Sequence, residues 1–144
     1  MKCQDLMTKH IKMCTPECSI KDAVQLMQDL NCGAIPIIND DHEPVGMVTD
    51  RDIALYTILN NKDPQKNKVS EFMSKPVITC FENEDIDTAI QKMKEYKIRR
   101  IPVIDEKNKI SGIISLGDIA VISNEEEETF EALHDISTPV SSSK

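Results

Sequence analysis

AIPIINDDHEPVGMVTDRDI occupies residues 34–53 and RIPVIDEKNKISGIISLGDI occupies residues 100–119, the second string lying 66 positions after the first. In each, a short run rich in β-branched residues (Ala34–Ile38, Arg100–Ile104) leads through a polar turn into a second run (Val45–Thr49, Ile110–Ser115). Runs this short read as strands, and the pair as a hairpin. Pro36 and Pro102 lack an amide donor, so each belongs at a sheet edge or an irregularity. Gly46 and Gly112 admit close approach of another backbone.

Working outward, the same offset lays Leu6–Ala54 onto Phe72–Ala120 without a gap, with identities such as Met7/Met73, Cys14/Cys80, Ala23/Ala89, Met27/Met93 and Asp52/Asp118. Two copies at this period predict a pseudo-two-fold pair, not an array. Upstream of each hairpin lies an amphipathic helix: Ile20, Ala23, Val24, Met27 and Leu30 follow helical spacing, as do Ile86, Ala89, Ile90, Met93 and Tyr96. Ser19 and Asp85 stand at the N-cap positions. Short leading strands, Ile11–Cys14 and Val77–Cys80, precede these helices, and the last helices of the copies begin near Asp50 and Leu116. The expected division is residues 1–60 for the first repeat with its lead-in and 61–68 for a linker. The second repeat takes 69–122, and 123–144 form an acidic extension and tail.

Composition narrows function. Hydrophobic residues make up 40% and charged residues 29%, an ordinary balance for a folded chain. The formal charge of -8 disfavours general nucleic-acid binding, and two Tyr, three Phe and no Trp leave few platforms for stacked bases. Five cysteines without a CxxC pair and without a signal peptide before them predict reduced thiols in the cytoplasm, and no apolar run is long enough to span a bilayer. His10, Cys14 and Cys18 do not have a standard zinc spacing, so no metal site is expected. His10, His42 and His134 have no nucleophile or acid partner at a recognisable spacing, so no enzyme activity is expected either.

The A-I-P-I-I and R-I-P-V-I strands, together with G-M-V-T-D-R-D-I at Gly46–Ile53 and G-I-I-S-L-G-D-I at Gly112–Ile119, resemble a tandem pair of cystathionine-β-synthase (CBS) domains, the regulatory unit called a Bateman module. The resemblance covers Leu6–Ala120. It implies an α+β fold of two β-α-β-β-α repeats packed with pseudo-two-fold symmetry and adenosine-type ligands in the cleft between copies.

In that family the Ser/Thr-x-x-Asp closing the hairpin carries the ligand, which maps here to Thr49 with Asp52 and to Ser115 with Asp118. A carboxylate suits the two hydroxyls of a ribose, and the preceding hydroxyl faces phosphate. The same pattern also reads as a capping box, and duplication does not separate these readings because a repeated helix needs a repeated cap. Basic groups differ between copies: Arg99 and Arg100 precede the second Ile-Pro, whereas the first copy has Gly33 and Ala34 there and offers Arg51 instead. By resemblance, the adenine lies near Ile11 with Ala34 and Pro36, or near Val77 and Thr79 with Arg100.

These features predict a stand-alone regulatory module for AMP, ADP, ATP or S-adenosylmethionine that requires no cofactor and relays binding to an unidentified target protein. The alternative is a ligand-free dimerisation or interaction scaffold. Family members commonly pair two modules through their terminal helices, which implies a homodimer built near Tyr56 and Ile122. Against it stands a fold-back of the acidic segment, with Phe130, Leu133 and Ile136 covering the surplus apolar surface.

Overall fold

The structure, a computed structural model, describes residues 1–9, 12–122 and 126–138 and has an α+β fold. The elements are α1 (Cys3–Leu6), α2 (Ile20–Leu30), β1 (Ala34–Ile38), β2 (Pro44–Thr49), α3 (Asp50–Leu59), a 3-10 turn (Val69–Glu71), β3 (Cys80–Phe81), α4 (Ile86–Tyr96), β4 (Arg100–Ile104), β5 (Ile110–Ser115), α5 (Leu116–Ile122) and α6 (Glu126–Ser137). They form two compact units. The second-repeat unit takes Met1–His10, Ile78–Lys107 and Ser111–Lys144; the first-repeat unit takes Ile11–Val77 with Asn108–Ile110.

Each unit has its own aliphatic core, with Ile20, Ile35, Ile37, Val48 and Ile53 in the first and Ile86, Ile90, Met93, Ile101, Val103 and Ile114 in the second. Both hairpins form where the sequence places them. In the first, β1 and β2 pair antiparallel from Ala34 opposite Thr49 to Ile37 opposite Gly46, with an irregularity before Ile38. The Ile38 amide donates outward to the Cys14 carbonyl at 2.9 Å. Alternate residues of a strand face the same side, so Pro36 turns its missing donor toward that outer edge, where no regular ladder needs it.

The leading strands are shorter than expected. Among the described residues, only Cys14 bridges to Ile37 in the first unit, and in the second only Cys80–Phe81 pair with β4, in parallel. Ile11 lies outside the described residues. Thr79 lies outside the ladder, and its carbonyl accepts from Lys92 Nζ at 2.7 Å.

A segment preceding each repeat packs into the unit of the other repeat. Residues 1–8 enter the second-repeat unit, where Cys3 and Leu6 join the core, while residues 67–74 enter the first-repeat unit through Val69, Phe72 and Met73. The hydrogen bonds repeat at the same offset: Ile86 N–H donates to Met1 O and Ile20 N–H to Asn67 O, both at 3.0 Å. The caps of the two helices differ. Ser19 accepts from the Asp22 amide at 3.1 Å as expected, but the Asp85 side chain makes no cap bond. In α4 the matching amide, that of Thr88, donates to the Asp85 carbonyl at 3.0 Å instead.

The repeated glycine, Gly46 and Gly112, has a structural cause. A Cβ on Gly112 would stand 2.7 Å from Met7 Sδ and 2.8 Å from the Thr8 carbonyl, and one on Gly46 would stand 2.9 Å from Met73 Sδ and 3.0 Å from the Ser74 carbonyl. Thr8 and Ile113, like Ser74 and Met47, are bridged across these approaches. Gly112→Ala should therefore cost about 1–3 kcal/mol by overpacking. Gly46→Ala should cost less, an order that chemical denaturation curves check directly.

The two amphipathic helices are buried to different depths. Ile20, Ala23 and Met27 of α2 are buried, but Val24 is 45% exposed, whereas its counterpart Ile90 on α4 is 2% exposed. The difference is α6, which packs on α4 and α5, whereas α2 packs on α3 and β1. Leu30 and Tyr96, the last residues of their stripes, are exposed at the helix ends. The expected apolar edge of the C-terminal helix also shifts: Ala132 and Thr129 are buried and Ile136 packs partly against the core, while Phe130 and Leu133 stay largely exposed. The small Ala132 side chain lets α6 approach its neighbours closely. Lys94 Nζ reaches Glu131 at 3.4 Å and Asp135 at 3.8 Å, and Lys97 Nζ donates to the Asp135 carbonyl at 2.6 Å, fastening α6 to α4.

Candidate functional site

In the first-repeat unit, the ladder register sets Ala34 directly opposite Thr49, so two of the expected site residues are brought together by the hairpin itself. Thr49 caps α3, its Oγ1 accepting from the Asp52 amide at 3.1 Å. The half-buried Asp52 carboxylate takes no hydrogen bond or ion pair among the described residues. Arg51 is exposed in the first turn of α3, and Ala34 and Pro36 are buried. Val77 belongs to this unit and is half-buried.

In the second-repeat unit the motif is occupied by its own helix. Ser115 Oγ accepts from the Asp118 amide at 3.0 Å while Asp118 Oδ2 accepts from the Ser115 amide at 3.2 Å. This is a reciprocal capping box. The two copies thus divide the readings that the sequence leaves open: Asp118 closes a box and Asp52 does not. Asp118→Ala should lower stability by about 0.5–2 kcal/mol, as for other lost caps, while Asp52→Ala keeps the Thr49 cap and should change the melting temperature little. Thermal unfolding of the two variants tests this.

A cavity of about 310 Å³ opens beside this box, lined by Arg99, Arg100, Ser115 and Gly117 and by Thr129 and Leu133 of α6 among others. The Arg99 carbonyl accepts from the Leu116 amide at 2.8 Å, which holds the chain entering β4 against the start of α5. Two arginines and a serine among the lining residues are the types that suit a phosphate, and the apolar Leu116, Ala120 and Leu133 suit a flat base. Thr79, expected here, is half-buried and does not line the cavity; its carbonyl is held by Lys92. A larger hollow of about 550 Å³ is lined by Glu82, Asp105 and Glu106 with Phe81, Asn83, Ile104 and Lys107. Its three carboxylates oppose a phosphate, so the smaller cavity is the better match to the expected chemistry.

Thr129 and Leu133 are the site residues that sequence reasoning misses. Their signal is the i, i+4 spacing on a helix facing the motif, which becomes legible only once the packing of α6 is known. Among the described residues no group of three or more His, Cys, Asp or Glu is placed to hold a metal, and no helix is long and apolar enough to cross a membrane.

The family described as CBS domain matches residues 3–58 and 69–125. The chain belongs to the CBS domain family. The CBS domain-containing protein YhcV of Bacillus subtilis is 39% identical over 134 residues, covering 93% of this chain and 94% of that protein. Among solved structures, the CBS domain pair of protein MJ0100 in complex with 5′-methylthioadenosine and S-adenosyl-L-methionine superposes with a TM-score of 0.74 at 29% identity, covering 83% of this chain and 93% of that one. CBSX2 of Arabidopsis thaliana in complex with AMP superposes at 0.71 with 25% identity, covering 83% and 93%. The α+β pair of repeats expected from the sequence is therefore the fold of this CBS pair. Its C-terminal helix α6 lies beyond the residues that the family model matches.

Proposed function

We propose that this CBS pair is a regulatory module that binds an adenosine-containing metabolite, AMP, ADP, ATP or S-adenosylmethionine, and passes the binding to a partner protein. The observation that carries the reading is the cavity in the second-repeat unit, where Arg99, Arg100 and Ser115 converge. The adenosine ligands in the MJ0100 pair and in CBSX2 support the ligand class. In this reading the guanidinium groups hold phosphate, Ser115 adds a hydroxyl donor, and the carboxylate oxygen of Asp118 outside its cap accepts from the ribose. Thr49, Asp52 and Arg51 with Ala34 and Pro36 form the corresponding, less basic site of the first copy. The ligand acts by favouring one arrangement of the repeats through differential contacts. The working division is repeats at 1–60 and 69–122, a linker at 61–68 and an extension at 123–144. The module carries no catalytic step and works in the cytoplasm.

Titration calorimetry against AMP, ADP, ATP, S-adenosylmethionine and 5′-methylthioadenosine tests the proposal. At least one should bind and raise the melting temperature, because a ligand specific to the folded state stabilises it by mass action. Absence of binding across the panel would overturn the ligand reading and leave the scaffold reading in its place.

A further inference from the structure

We propose that Cys14 and Cys18 form a reactive dithiol, a modification site that closes to an intramolecular disulfide on meeting a hydroperoxide or a small-molecule disulfide. Their sulfurs lie 2.9 Å apart, with Cys18 Sγ donating to Cys14 Sγ. A disulfide requires about 2.05 Å, so closure needs a movement of about 0.9 Å. The backbone already holds the pair in place. The Cys18 amide closes the turn on the Thr15 carbonyl at 3.0 Å, the Cys14 carbonyl accepts from Ile38 at 2.9 Å, and the Cys18 carbonyl accepts from Val69 at 3.0 Å. The pair is not imposed by the fold: the second copy keeps Cys80 at the position of Cys14 but has Glu84 where Cys18 stands.

Exposure assigns the roles. Cys18 is half-exposed and meets the oxidant, while Cys14 is 2% exposed and resolves the intermediate. Burial pushes the Cys14 thiol well above its ordinary range, with the Cys18 hydrogen bond adding to it, so Cys14 is the slower thiol and acts second, through its closeness to Cys18. With a hydroperoxide, the Cys18 sulfur attacks the peroxide oxygen, the O–O bond breaks, and an alcohol or water leaves with a proton, giving a sulfenic acid. The Cys14 sulfur then attacks the Cys18 sulfur, the S–O bond breaks, and water leaves with the Cys14 proton. Two thiols lose two electrons and the peroxide gains them. Cys3 and Cys80 share the second core, but both are buried and have no face toward an oxidant. They serve as an internal control.

The sequence makes the test simple, because cleavage after lysine and arginine places Cys14 and Cys18 alone together in residues 13–21 and puts Cys3, Cys32 and Cys80 in three other peptides. The reduced full-length chain is treated with hydrogen peroxide or oxidised glutathione, alkylated, digested and weighed. Peptide 13–21 should lose about 2 Da, take no alkyl label and regain both labels after reduction, while the other three cysteines remain alkylated. Cys14→Ser should leave Cys18 trapped as its glutathione adduct. Full alkylation of both Cys14 and Cys18 after oxidation, or a cross-link from either to a different peptide, would overturn the proposal.

Discussion

Replacing both arginines of the second copy, Arg99→Ala with Arg100→Ala, is expected to weaken the binding of AMP or ATP by about tenfold to a hundredfold, since hydrogen bonds to charged groups contribute about 1.5–3 kcal/mol each and exposure lowers that figure. Arg99 is exposed and Arg100 half-buried, so Arg100 should account for the larger share. Folding should survive the change, because the structural role of Arg99 is borne by its carbonyl, which accepts from the Leu116 amide whatever the side chain. The loss should also grow with phosphate count. 5′-Methylthioadenosine has no phosphate and should bind the variant nearly as well as the parent chain, while ATP should lose most. A uniform loss across both ligands would show that the arginines shape the cavity instead of reading charge. Unchanged ATP affinity would remove the second copy as the phosphate site. Arg51→Ala, its counterpart in the first copy, is then the decisive comparison: it should change affinity by less than about threefold if the second copy dominates.

The hairpins, the two long amphipathic helices and the starts of α3 and α5 were legible because each pattern occurs twice and the copies check one another. Ala34–Ile38 and Arg100–Ile104 share length, proline position and following turn, so chance agreement is small. The parts that were not legible are those that duplication does not report. Residues 1–8 and 67–74 have matching patterns, but pattern alone does not say which unit each one joins, and the exchange between repeats rests on packing at Gly46 and Gly112. The Asp85 side-chain cap failed as an expectation because the Thr88 amide it would serve donates to the Asp85 carbonyl. Helix α6 has no second copy. Its acids mark a solvated face, but its buried side runs through Thr129 and Ala132, a polar and a small residue that hydrophobicity ranks low. That is why the α6 wall of the cavity was missed. At the motif itself, residue types were legible and their division of labour was not, since Thr49, Asp52, Ser115 and Asp118 pair differently in the two copies.

The largest effect on assembly is expected at α3. Ile53 is buried and Tyr56 stacks on Phe72 with ring centroids 4.6 Å apart, its hydroxyl donating to Glu71 Oε1 at 2.6 Å. The other side of the helix is uncovered: Leu55 is 46% exposed, Ile58 71% and Leu59 72%. Positions i, i+3 and i+4 share a face, so these three make one stripe. Helix α6, the segment of the fold-back alternative, packs on α4 and α5 within its own unit. A second copy brought against this stripe would bury six such side chains, gaining about 10 kcal/mol gross at about 1.5–3 kcal/mol for each fully buried residue. Association costs of about 4–15 kcal/mol consume much of that, so the dimer depends on the stripe remaining apolar. Light scattering at micromolar concentration should give about twice the 16.2 kDa of the chain. Ile58→Glu with Leu59→Glu should return the mass to that of one chain with the melting transition retained, because neither residue belongs to a core. A parent chain that already scatters as 16.2 kDa would reject the dimer outright. A double variant that stays dimeric would move the interface to another surface, with Val121, 85% exposed on α5, the next residue to substitute.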